Sequence, residues 1–287
     1  MSVRVFAPAK INLTLQVGRP RDDGMHPLQS VTTFANVGDW VEARPADTLS
    51  LSVSGPFAAG LGGDDNLVLR AARALAADVG RAPHAALSLE KNLPVASGIG
   101  GGSSDAAATL KALNQLWSLG LAEAGLTPIA RQLGADVPVC VTAWPAWMTG
   151  DGEHVAPMQA PALHGVLINP LTPLPTAEVF RAFDQMQLGG AFEPSAPPAW
   201  PDAEAAFAGI ATLGNDLTAP ARALCPALAH VEGAVADDPR VRAVTLSGSG
   251  ATVVALTNDE SSAAELAREL ATREREWWIA PVLLGGA

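Results

Sequence analysis

The sequence predicts an α+β protein with two domains, and three observations support this class. The chain has 287 residues, which at about 100–200 residues per domain corresponds to one large domain or two ordinary ones. Apolar residues make up 48% of the chain and charged residues 16%, a composition that can fill a core and argues against disorder. Strand-like and helix-like stretches are mixed without strict strand–helix–strand repetition, which disfavours a doubly wound parallel sheet.

The first half of the chain begins as strands and then turns helical. Apolar residues alternate from Val3 to Val17, with Pro8-Ala9-Lys10 between two runs, and the segment GRPRDDGMHP that follows is a predicted loop. Further strands are predicted at 31–35, 40–43, 49–53 and 86–90. Helices are predicted at 66–79 with Asp64-Asp65 as cap, at 103–117, and at 127–134 with Thr127 as cap and Pro128 in the first helical position.

The second half restarts the pattern after a stretch, 150–161, that is predicted to be irregular. Strands are predicted at 165–169, 241–246, 252–257 and 278–284, and helices at 176–186, 203–212, 217–236 and 259–276. The proline-rich segment 188–202 is predicted to be a surface loop. We therefore expect an N-terminal domain over residues 1–155 and a C-terminal domain over residues 156–287.

Charge and cysteine content exclude several classes of function. Eighteen Lys and Arg stand against 29 Asp and Glu, for a net charge of −11, so the chain lacks the overall field that attracts nucleic acid or anionic lipid. Two cysteines, Cys140 and Cys225, cannot build a disulfide framework or a cysteine zinc site. No apolar run reaches the roughly 18–20 residues of a membrane helix, and the N-terminus lacks a signal-peptide pattern. We expect a cytoplasmic protein without nucleic-acid or membrane partners, and its oligomeric state is not indicated.

The strongest chemical signal is the segment PVASGIGGGSSDAAATLKALNQLW at 94–117. Its glycines allow backbone N–H groups to approach an anion, and the helix N-terminus adds unpaired donors and partial positive charge. A Walker loop would have Lys, and a Rossmann fingerprint would have Gly, where this chain has Ser103. The composition alone is also compatible with a glycine-rich connection capped by serine. Asp105 is interpreted as structural, because a carboxylate there would repel phosphate.

This glycine–serine segment resembles the phosphate-binding motif of the GHMP kinases. Two further motifs of that superfamily occur in the right order, PAKINLTL at 8–15 and LSGSGATVVAL at 246–256. Four other segments are similar to the subgroup that acts on a cytidine diphosphate-linked polyol: DDGMHPLQSV at 22–31, LGADVPV at 133–139, PLPTAEVF at 173–180 and GNDL at 214–217. The resemblance covers nearly the whole chain and implies the two-domain α+β GHMP fold, with the active site in the cleft between the domains.

The resemblance implies an ATP- and Mg²⁺-dependent kinase. It would phosphorylate the 2-hydroxyl of 4-diphosphocytidyl-2-C-methyl-D-erythritol (CDP-methylerythritol) in non-mevalonate isoprenoid biosynthesis. Lys10 and Asp136 would be catalytic, because a carboxylate can take the hydroxyl proton while an ammonium favours the alkoxide. Taken alone, Asp136 is compatible with a turn or helix cap and Lys10 with a surface lysine. Mg²⁺ would bind through the ATP phosphates, near Ser103 or Ser104, and no protein metal ligand is predicted.

The remaining site residues follow from the same resemblance. The ATP-binding residues would be Pro94, Val95, Ala96, Ser97, Gly98, Ile99, Gly100, Gly101, Gly102, Ser103 and Ser104, with Asn66 and Lys91 on the adenine side. The substrate-binding residues would be Asn12, Met25, His26, Thr176, Phe180, Gly248, Ser249 and Gly250. Within the latter group, His26 would bind the base edge and Phe180 would stack on the cytosine. Met25 departs from the family, which usually has an aromatic residue at that position, so the second face of the cytosine is expected to rest on the Met25 thioether in place of a second ring.

Three alternatives stay open at this point. The chain could be another GHMP small-molecule kinase, for example of homoserine or mevalonate, which His26 and Phe180 disfavour. It could be a catalytically inactive ligand-binding regulator on the same fold, which Lys10, Asp136 and the intact glycine loop disfavour. A nucleic-acid-binding module is disfavoured by the acidic charge and by the lack of a basic aromatic stripe.

Overall fold

A computed structural model describes residues 1–285, and the chain divides into two compact units. Unit 1 contains Met1–Lys10, Val37–Val95 and Gly100–Ala143; unit 2 contains Ile11–Asn36, Ala96–Ile99 and the chain from Trp144 onward. Strands and helices are mixed in both, as the α+β class requires. The predicted domain boundary at residue 155 stays a prediction.

Unit 1 combines a small sheet with four helices. Its strands are β4 (Ser50–Ser54), β5 (Ala86–Glu90) and the parts of β1 (Val3–Asn12) and β3 (Leu28–Arg44) that fall in this unit. Its helices are α1 (Leu67–Asp78), α2 (Gly101–Leu116), α3 (Glu123–Leu133) and α4 (Val137–Thr142). β4 and β5 pair in parallel with α1 between them in the chain, whereas β5 pairs with β3 antiparallel. The helices pack on one another through apolar side chains, and Leu75, Leu110, Leu113 and Ile129 are fully buried.

The structure corrects several predictions for the first half of the chain. The predicted strands 31–35 and 40–43 are parts of the single strand β3. Helix α1 is capped by Asn66, whose Oδ1 accepts the Val68 N–H, and not by Asp64-Asp65. Helix α2 begins at Gly101, two residues before the predicted start. Helix α4 was not predicted, because VPVCVT is short, rich in β-branched residues and mostly apolar, and such runs do not distinguish helix from strand.

The predicted helix 127–134 begins earlier, at Glu123. Apolar side chains at Leu126, Ile129 and Leu133 are buried at helical spacing on both sides of Pro128. Packing of this face therefore extends the helix to residues on the N-terminal side of Pro128. The Thr127 hydroxyl donates to the Glu123 carbonyl within the helix, so the predicted cap at Thr127 is wrong.

Unit 2 is built on a four-stranded antiparallel sheet. The strand order is β11 (Trp278–Leu284), β8 (Leu163–Asn169), β10 (Val253–Thr257) and β9 (Val241–Leu246). The helices are α5 (Thr176–Gln185), α6 (Ala203–Leu213), α7 (Thr218–Leu224), α8 (Ala227–Val235) and α9 (Glu260–Arg273). The strands β2 (Gln16–Val17), β6 (Ala146–Gly150) and β7 (His154–Pro157) complete the unit, and β3 pairs with both β2 and β6.

The core of unit 2 forms where one face of this sheet meets the helices. Ile168 and Val253 are register partners and both are fully buried. Phe183 of α5 and Val231 of α8 pack in the same cluster. Successive side chains of a strand point to opposite faces of the sheet, so the register partners Ile168 and Val253 lie on the same face.

Two predictions for unit 2 are wrong. The segment 150–161 is not irregular throughout, because β7 spans His154–Pro157 and pairs with β6. The predicted helix 217–236 is divided into α7 and α8 at Cys225 and Pro226. Proline disfavours helical geometry in the residue before it, and Cys225 accordingly has φ −129° and ψ 83°.

None of the helices within residues 1–285 is long and apolar enough to cross a membrane.

Candidate active site

Lys10 and Asp136 form an ion pair in unit 1. Lys10 Nζ lies 2.6 Å from Asp136 Oδ2, and the lysine side chain is 5% exposed while the carboxylate is 39% exposed. Lys10 comes from buried β1, and Asp136 directly precedes α4. Asp136 makes no side-chain capping bond to α4, and Lys10 is no surface lysine. The pair therefore has a half-exposed carboxylate whose orientation is fixed by a buried ammonium.

The glycine loop lies directly against Lys10. Gly100 has φ +60°, and a Cβ placed on it would lie 2.8 Å from Lys10 Cβ. Both the left-handed backbone and the close approach require glycine here. In contrast, a Cβ on Gly102 would meet the terminal Cδ1 of Leu67 at 3.4 Å, and no positive φ is needed there.

We expect Gly100→Ala to lower the thermal unfolding temperature and Gly102→Ala to leave it nearly unchanged. The first substitution adds a strained φ and a contact with Lys10, with an expected cost of about 1–3 kcal/mol. Thermal denaturation of both variants beside the wild type measures the difference. Equal unfolding temperatures for the two variants would show that the Gly100 backbone is not constrained as described.

The two serines at the start of α2 have different environments. Ser104 is 2% exposed, and its hydroxyl donates to Cys140 Sγ at 3.4 Å. Ser103 is only half-buried. Of the two, Ser103 is thus the accessible hydroxyl at this helix start. Earlier in the loop Val95 is 50% exposed, whereas Ile99 is fully buried and serves packing.

In unit 2 the segment LSGSGATVVAL (246–256, here called the third motif) holds residues 97–98 in the middle of the glycine loop. The Ser247 hydroxyl donates to the Gly98 carbonyl at 2.9 Å, and the Thr252 hydroxyl donates to the Ser97 carbonyl at 2.6 Å. Gly98 has φ +75°, and a Cβ there would lie 2.3 Å from the Ser247 carbonyl oxygen. Two hydroxyls and one glycine therefore fix the course of residues 97–98.

Lys91 lies in a buried charge cluster of unit 1, here called the Lys91 cluster (Asp39, Lys91 and Asp105). Lys91 Nζ donates to Asp39 Oδ2 and, at 2.7 Å, to Asp105 Oδ2. All three side chains are at most 4% exposed. Asp105 thus has the structural role expected for it. The Lys91 ammonium is bonded to two carboxylates, and its predicted contact with ATP stays a prediction.

The pKa of Asp105 is raised to about 7, chiefly by burial, with Lys91 lowering it and the Asp39 carboxylate raising it. Burial by itself lowers the pKa of Lys91, but the two carboxylates outweigh it and hold that pKa above the ordinary value. Within the described chain Asp105 Oδ1 is buried without a hydrogen-bond partner. An ionised carboxylate is costly to bury in this state, because one oxygen has lost water without gaining a donor.

We expect Asp105 to make the protein less stable as the pH rises from about 4 to 7. An unfolded Asp titrates near pH 3.9 and the folded one near 7. Between these values the folded state binds more protons, so stability falls with rising pH. Urea unfolding of wild type and Asp105→Asn from pH 5 to 8 tests this. The wild type should lose stability relative to the variant, and parallel pH curves would contradict the assignment.

Asn66 has both of its side-chain polar atoms engaged locally. Its Oδ1 caps α1, and its Nδ2 donates to the Leu61 carbonyl at 2.7 Å. The structure accordingly gives this side chain a capping role. Its predicted contact with adenine stays a prediction.

Asn12 stands at the end of β1 in unit 2 and is 5% exposed. Its Nδ2 donates to Ser30 Oγ at 2.7 Å and to Thr32 Oγ1 at 3.3 Å. Its Oδ1 is buried and lacks a hydrogen-bond partner in residues 1–285. That oxygen would lie 3.4 Å from a Cβ on Gly248. Asn12 therefore offers an oriented acceptor beside the third motif.

His26 packs against helix α5. Its ring centroid is 5.0 Å from that of Phe180 and 5.9 Å from that of Phe183. His26 Nε2 lies 2.8 Å from Asp184 Oδ1. The structure thus brings the predicted base-binding pair, His26 and Phe180, into ring contact.

The start of α5 meets the third motif. Thr176 Oγ1 and Ser249 Oγ are 2.9 Å apart. The turn that contains Ser249 has positive φ at Gly248 and Gly250. The Asn215 amide closes this turn by donating to the carbonyls of Leu246 and Gly248.

Comparison with known proteins assigns the family. Residues 66–143 match the GHMP kinases N terminal domain and residues 203–275 match the GHMP kinases C terminal family. A relative from Cereibacter sphaeroides (strain KD131 / KCTC 12085), named 4-diphosphocytidyl-2-C-methyl-D-erythritol kinase, is 46% identical and covers 98% of this chain and 99% of its own. The chain belongs to the 4-diphosphocytidyl-2-C-methyl-D-erythritol kinase family of GHMP kinases.

Other members of this kinase family agree over the same length. A relative of that name from Xanthobacter autotrophicus (strain ATCC BAA-1158 / Py2) is 45% identical, with coverage of 98% and 99%. A crystal structure of 4-(cytidine 5'-diphospho)-2C-methyl-D-erythritol kinase superimposes with a TM-score of 0.80 at 32% identity. It covers 99% of this chain and 100% of its own. The predicted GHMP fold and the predicted family are confirmed.

Met25 is where the sequence departs from this kinase family's usual pattern. Its side chain is 48% exposed, and its backbone N–H donates to Asp23 Oδ1 at 2.9 Å. The loop conformation is thus fixed by Asp23 while the thioether remains accessible.

Sequence reasoning missed two carboxylates. Asp184 follows Phe180 by four residues and Thr176 by eight, so a helical projection places all three on one face, a signal that could have been found. Asp39 gave no such signal. It lies within β3, 52 residues from Lys91 in sequence, and only the folded chain brings the two together.

Proposed function

We propose that this chain transfers the γ-phosphoryl group of ATP to the 2-hydroxyl of 4-diphosphocytidyl-2-C-methyl-D-erythritol. The bond between the γ-phosphorus and the β–γ bridging oxygen breaks, a bond to the substrate oxygen forms, and ADP leaves. The hydroxyl proton goes to a base. The reaction belongs to non-mevalonate isoprenoid precursor biosynthesis, and family membership at 46% identity over nearly the whole chain supports it.

The observation that carries the proposal is the Lys10–Asp136 pair. Asp136 Oδ2 is 2.6 Å from the Lys10 ammonium. Its carboxylate is partly open, as a base must be to reach a hydroxyl proton. Lys10 fixes this carboxylate and supplies positive charge where the alkoxide develops. A catalytically inactive binding protein would not need a carboxylate placed to accept a proton beside an ammonium.

ATP binding rests on the glycine loop and the first turn of α2. Backbone N–H groups of Gly101, Gly102 and Ser103 lie at a helix N-terminus, where orphan donors and the helix dipole favour phosphate. Residues 1–285 contain no group of three or more His, Cys, Asp or Glu side chains suited to a metal ion. As the family resemblance implies, Mg²⁺ would be held mainly by the ATP phosphates, with the Ser103 hydroxyl accessible to it, and would neutralise charge on the transferred group.

Cytosine recognition is assigned to His26 and Phe180, with Thr176 and Asn12 contacting other parts of the substrate. The partly buried Phe180 ring offers a face for stacking, and Asp184 holds the His26 ring by accepting from Nε2–H. The free acceptor of Asn12 suits a hydroxyl of the polyol. We place the reaction in the cytoplasm, since both cysteines are buried free thiols.

Met25→Tyr should lower KM for the cytidine substrate by up to about tenfold and leave kcat nearly fixed. Sulfur–aromatic contacts are worth about 0.3–1.5 kcal/mol, while base–aromatic stacking is worth about 1–3 kcal/mol. The difference of about 1.4 kcal/mol corresponds to a factor of ten. Steady-state kinetics tests this, with KM for ATP as internal control. An unchanged KM for the cytidine substrate would show that residue 25 does not contact the base.

The position of phosphorylation provides a direct test of the proposed reaction. Incubation with ATP, Mg²⁺ and CDP-methylerythritol should yield one product. Phosphorus–carbon coupling in its NMR spectrum should place the new phosphate on the oxygen of C2. Phosphate on another hydroxyl, or ADP formed without phosphorylated product, would contradict the assignment.

A further inference from the structure

The Lys91 cluster ties together the two ends of the glycine-rich segment. On the N-terminal side, Asp39 Oδ1 accepts the backbone N–H groups of Asn92 (2.5 Å) and Leu93 (2.9 Å). On the C-terminal side, Asp105 within α2 bonds to the Lys91 ammonium. One buried network therefore connects the residues just before the loop with the helix that follows it.

The same network lies against the first residue of α2. A Cβ on Gly101 would lie 3.0 Å from Lys91 Nζ and 3.6 Å from Asp39 Oδ2. The backbone of the first residue of α2 thus lies close to the ammonium, with no room for a side chain between them. A shift of the cluster would disturb the backbone at this helix start.

Stability alone is a poor reason for such a cluster. Its three charges sum to −1 when both carboxylates are ionised, and one carboxylate oxygen lacks a partner within residues 1–285. Buried ion clusters are often matched or exceeded in stability by apolar side chains of similar volume. Fixing a geometry that the reaction uses is a better explanation.

We propose that Lys91 and Asp105 are positioning residues: together with Asp39, which binds the amides of residues 92–93, their ion pair holds the start of the loop and the first turn of α2 in the arrangement that binds the ATP phosphates. This inference rests on the proposed ATP site. Lys91 then acts through the loop and not by contact with the adenine ring. Donors that are already ordered cost little to engage when the nucleotide binds, so their loss weakens binding.

Three variants test the pair. Asp105→Ala removes the acceptor of Lys91. Asp105→Asn keeps one oxygen for the ammonium, and its NH₂ can take the place of the unpartnered Oδ1. Thr109→Ala is the matched control, because Thr109 is fully buried one turn along α2 and its hydroxyl donates only to the Asp105 carbonyl among the bonds described. Calorimetry with a non-hydrolysable ATP analogue and Mg²⁺ gives Kd, and thermal denaturation gives Tm.

Asp105→Ala should raise Kd and KM for ATP by about tenfold or more, with KM for the cytidine substrate within about twofold. Asp105→Asn should restore most of the affinity, and Thr109→Ala should lower Tm without changing Kd. If Asp105→Ala lowers Tm yet binds the analogue as the wild type does, the inference is overturned. Wild-type protein that fails to bind the analogue would instead contradict the proposed ATP site.

Amide hydrogen exchange of the wild type keeps the test decisive if Asp105→Ala does not fold. The Asn92 and Leu93 amides should be protected although they lie outside helices and strands, because Asp39 binds both. Exchange as fast as in an exposed loop would overturn the inference.

Discussion

We expect Asp136→Asn to lower kcat by about two to four decades, with KM for ATP and the unfolding temperature nearly unchanged. The amide cannot accept the hydroxyl proton, whereas its size and its bond to Lys10 are close to those of the carboxylate. Because Asp136 makes no capping bond to α4, the substitution removes no helix cap. Single-turnover kinetics with saturating substrates measures the chemical step directly.

The control for this variant is Asp259→Ala. Asp259 caps α9 by accepting the Ser262 N–H, and that helix start holds the pKa of the carboxyl at about 2. Loss of the cap should lower the unfolding temperature and leave kcat unchanged. Asp136→Asn should therefore lose activity and keep its stability, whereas Asp259→Ala should lose stability and keep its activity. A kcat within threefold of wild type for Asp136→Asn would remove Asp136 from the mechanism.

We expect Phe180→Ala to raise KM for the cytidine substrate by about five- to hundredfold, since stacking on a base is worth about 1–3 kcal/mol. The loss should be at the high end, because Met25 offers no second aromatic face. KM for ATP should not change. Phe180→Tyr is the matched control, since it keeps the ring and should keep KM near the wild-type value.

The structure also limits the indirect effects of Phe180→Ala. Phe183 makes a T-shaped contact with His26, and Asp184 bonds to its Nε2, so the imidazole retains two of its contacts. Disorder of His26 is therefore not the expected cause of the weaker binding. An unchanged KM in Phe180→Ala would mean that the base does not stack on this ring.

The sequence predicted the strands and helices best where apolar periodicity was strong. β8, β10 and α9 lie within one to three residues of their predicted limits, because a continuous apolar run or helical spacing continues nearly to their ends. The errors arise where tertiary packing overrides local signals. Burial of Leu126 extends α3 past the apparent cap at Thr127, and the short apolar segment of α4 carries no period.

For the candidate site, local motifs predicted residues and not their contacts. The pairing of Lys10 with Asp136 and of His26 with Phe180 agrees with roles that the family resemblance implied. The bonds from Lys91 to Asp39 and from Ser247 to Gly98 join residues 52 and 149 positions apart. Separations of this size leave no periodic trace in a single sequence, so these supports became visible only in the folded chain.

Substrate choice is the central claim, and a coupled ADP-release assay tests it most directly. The purified protein is assayed with ATP and Mg²⁺ against CDP-methylerythritol, homoserine, mevalonate and galactose in parallel, with Asp136→Asn as background. We expect kcat/KM for CDP-methylerythritol to be at least about a thousandfold higher than kcat/KM for each of the other three substrates. Comparable turnover of homoserine, mevalonate or galactose, or no turnover of CDP-methylerythritol, would contradict it.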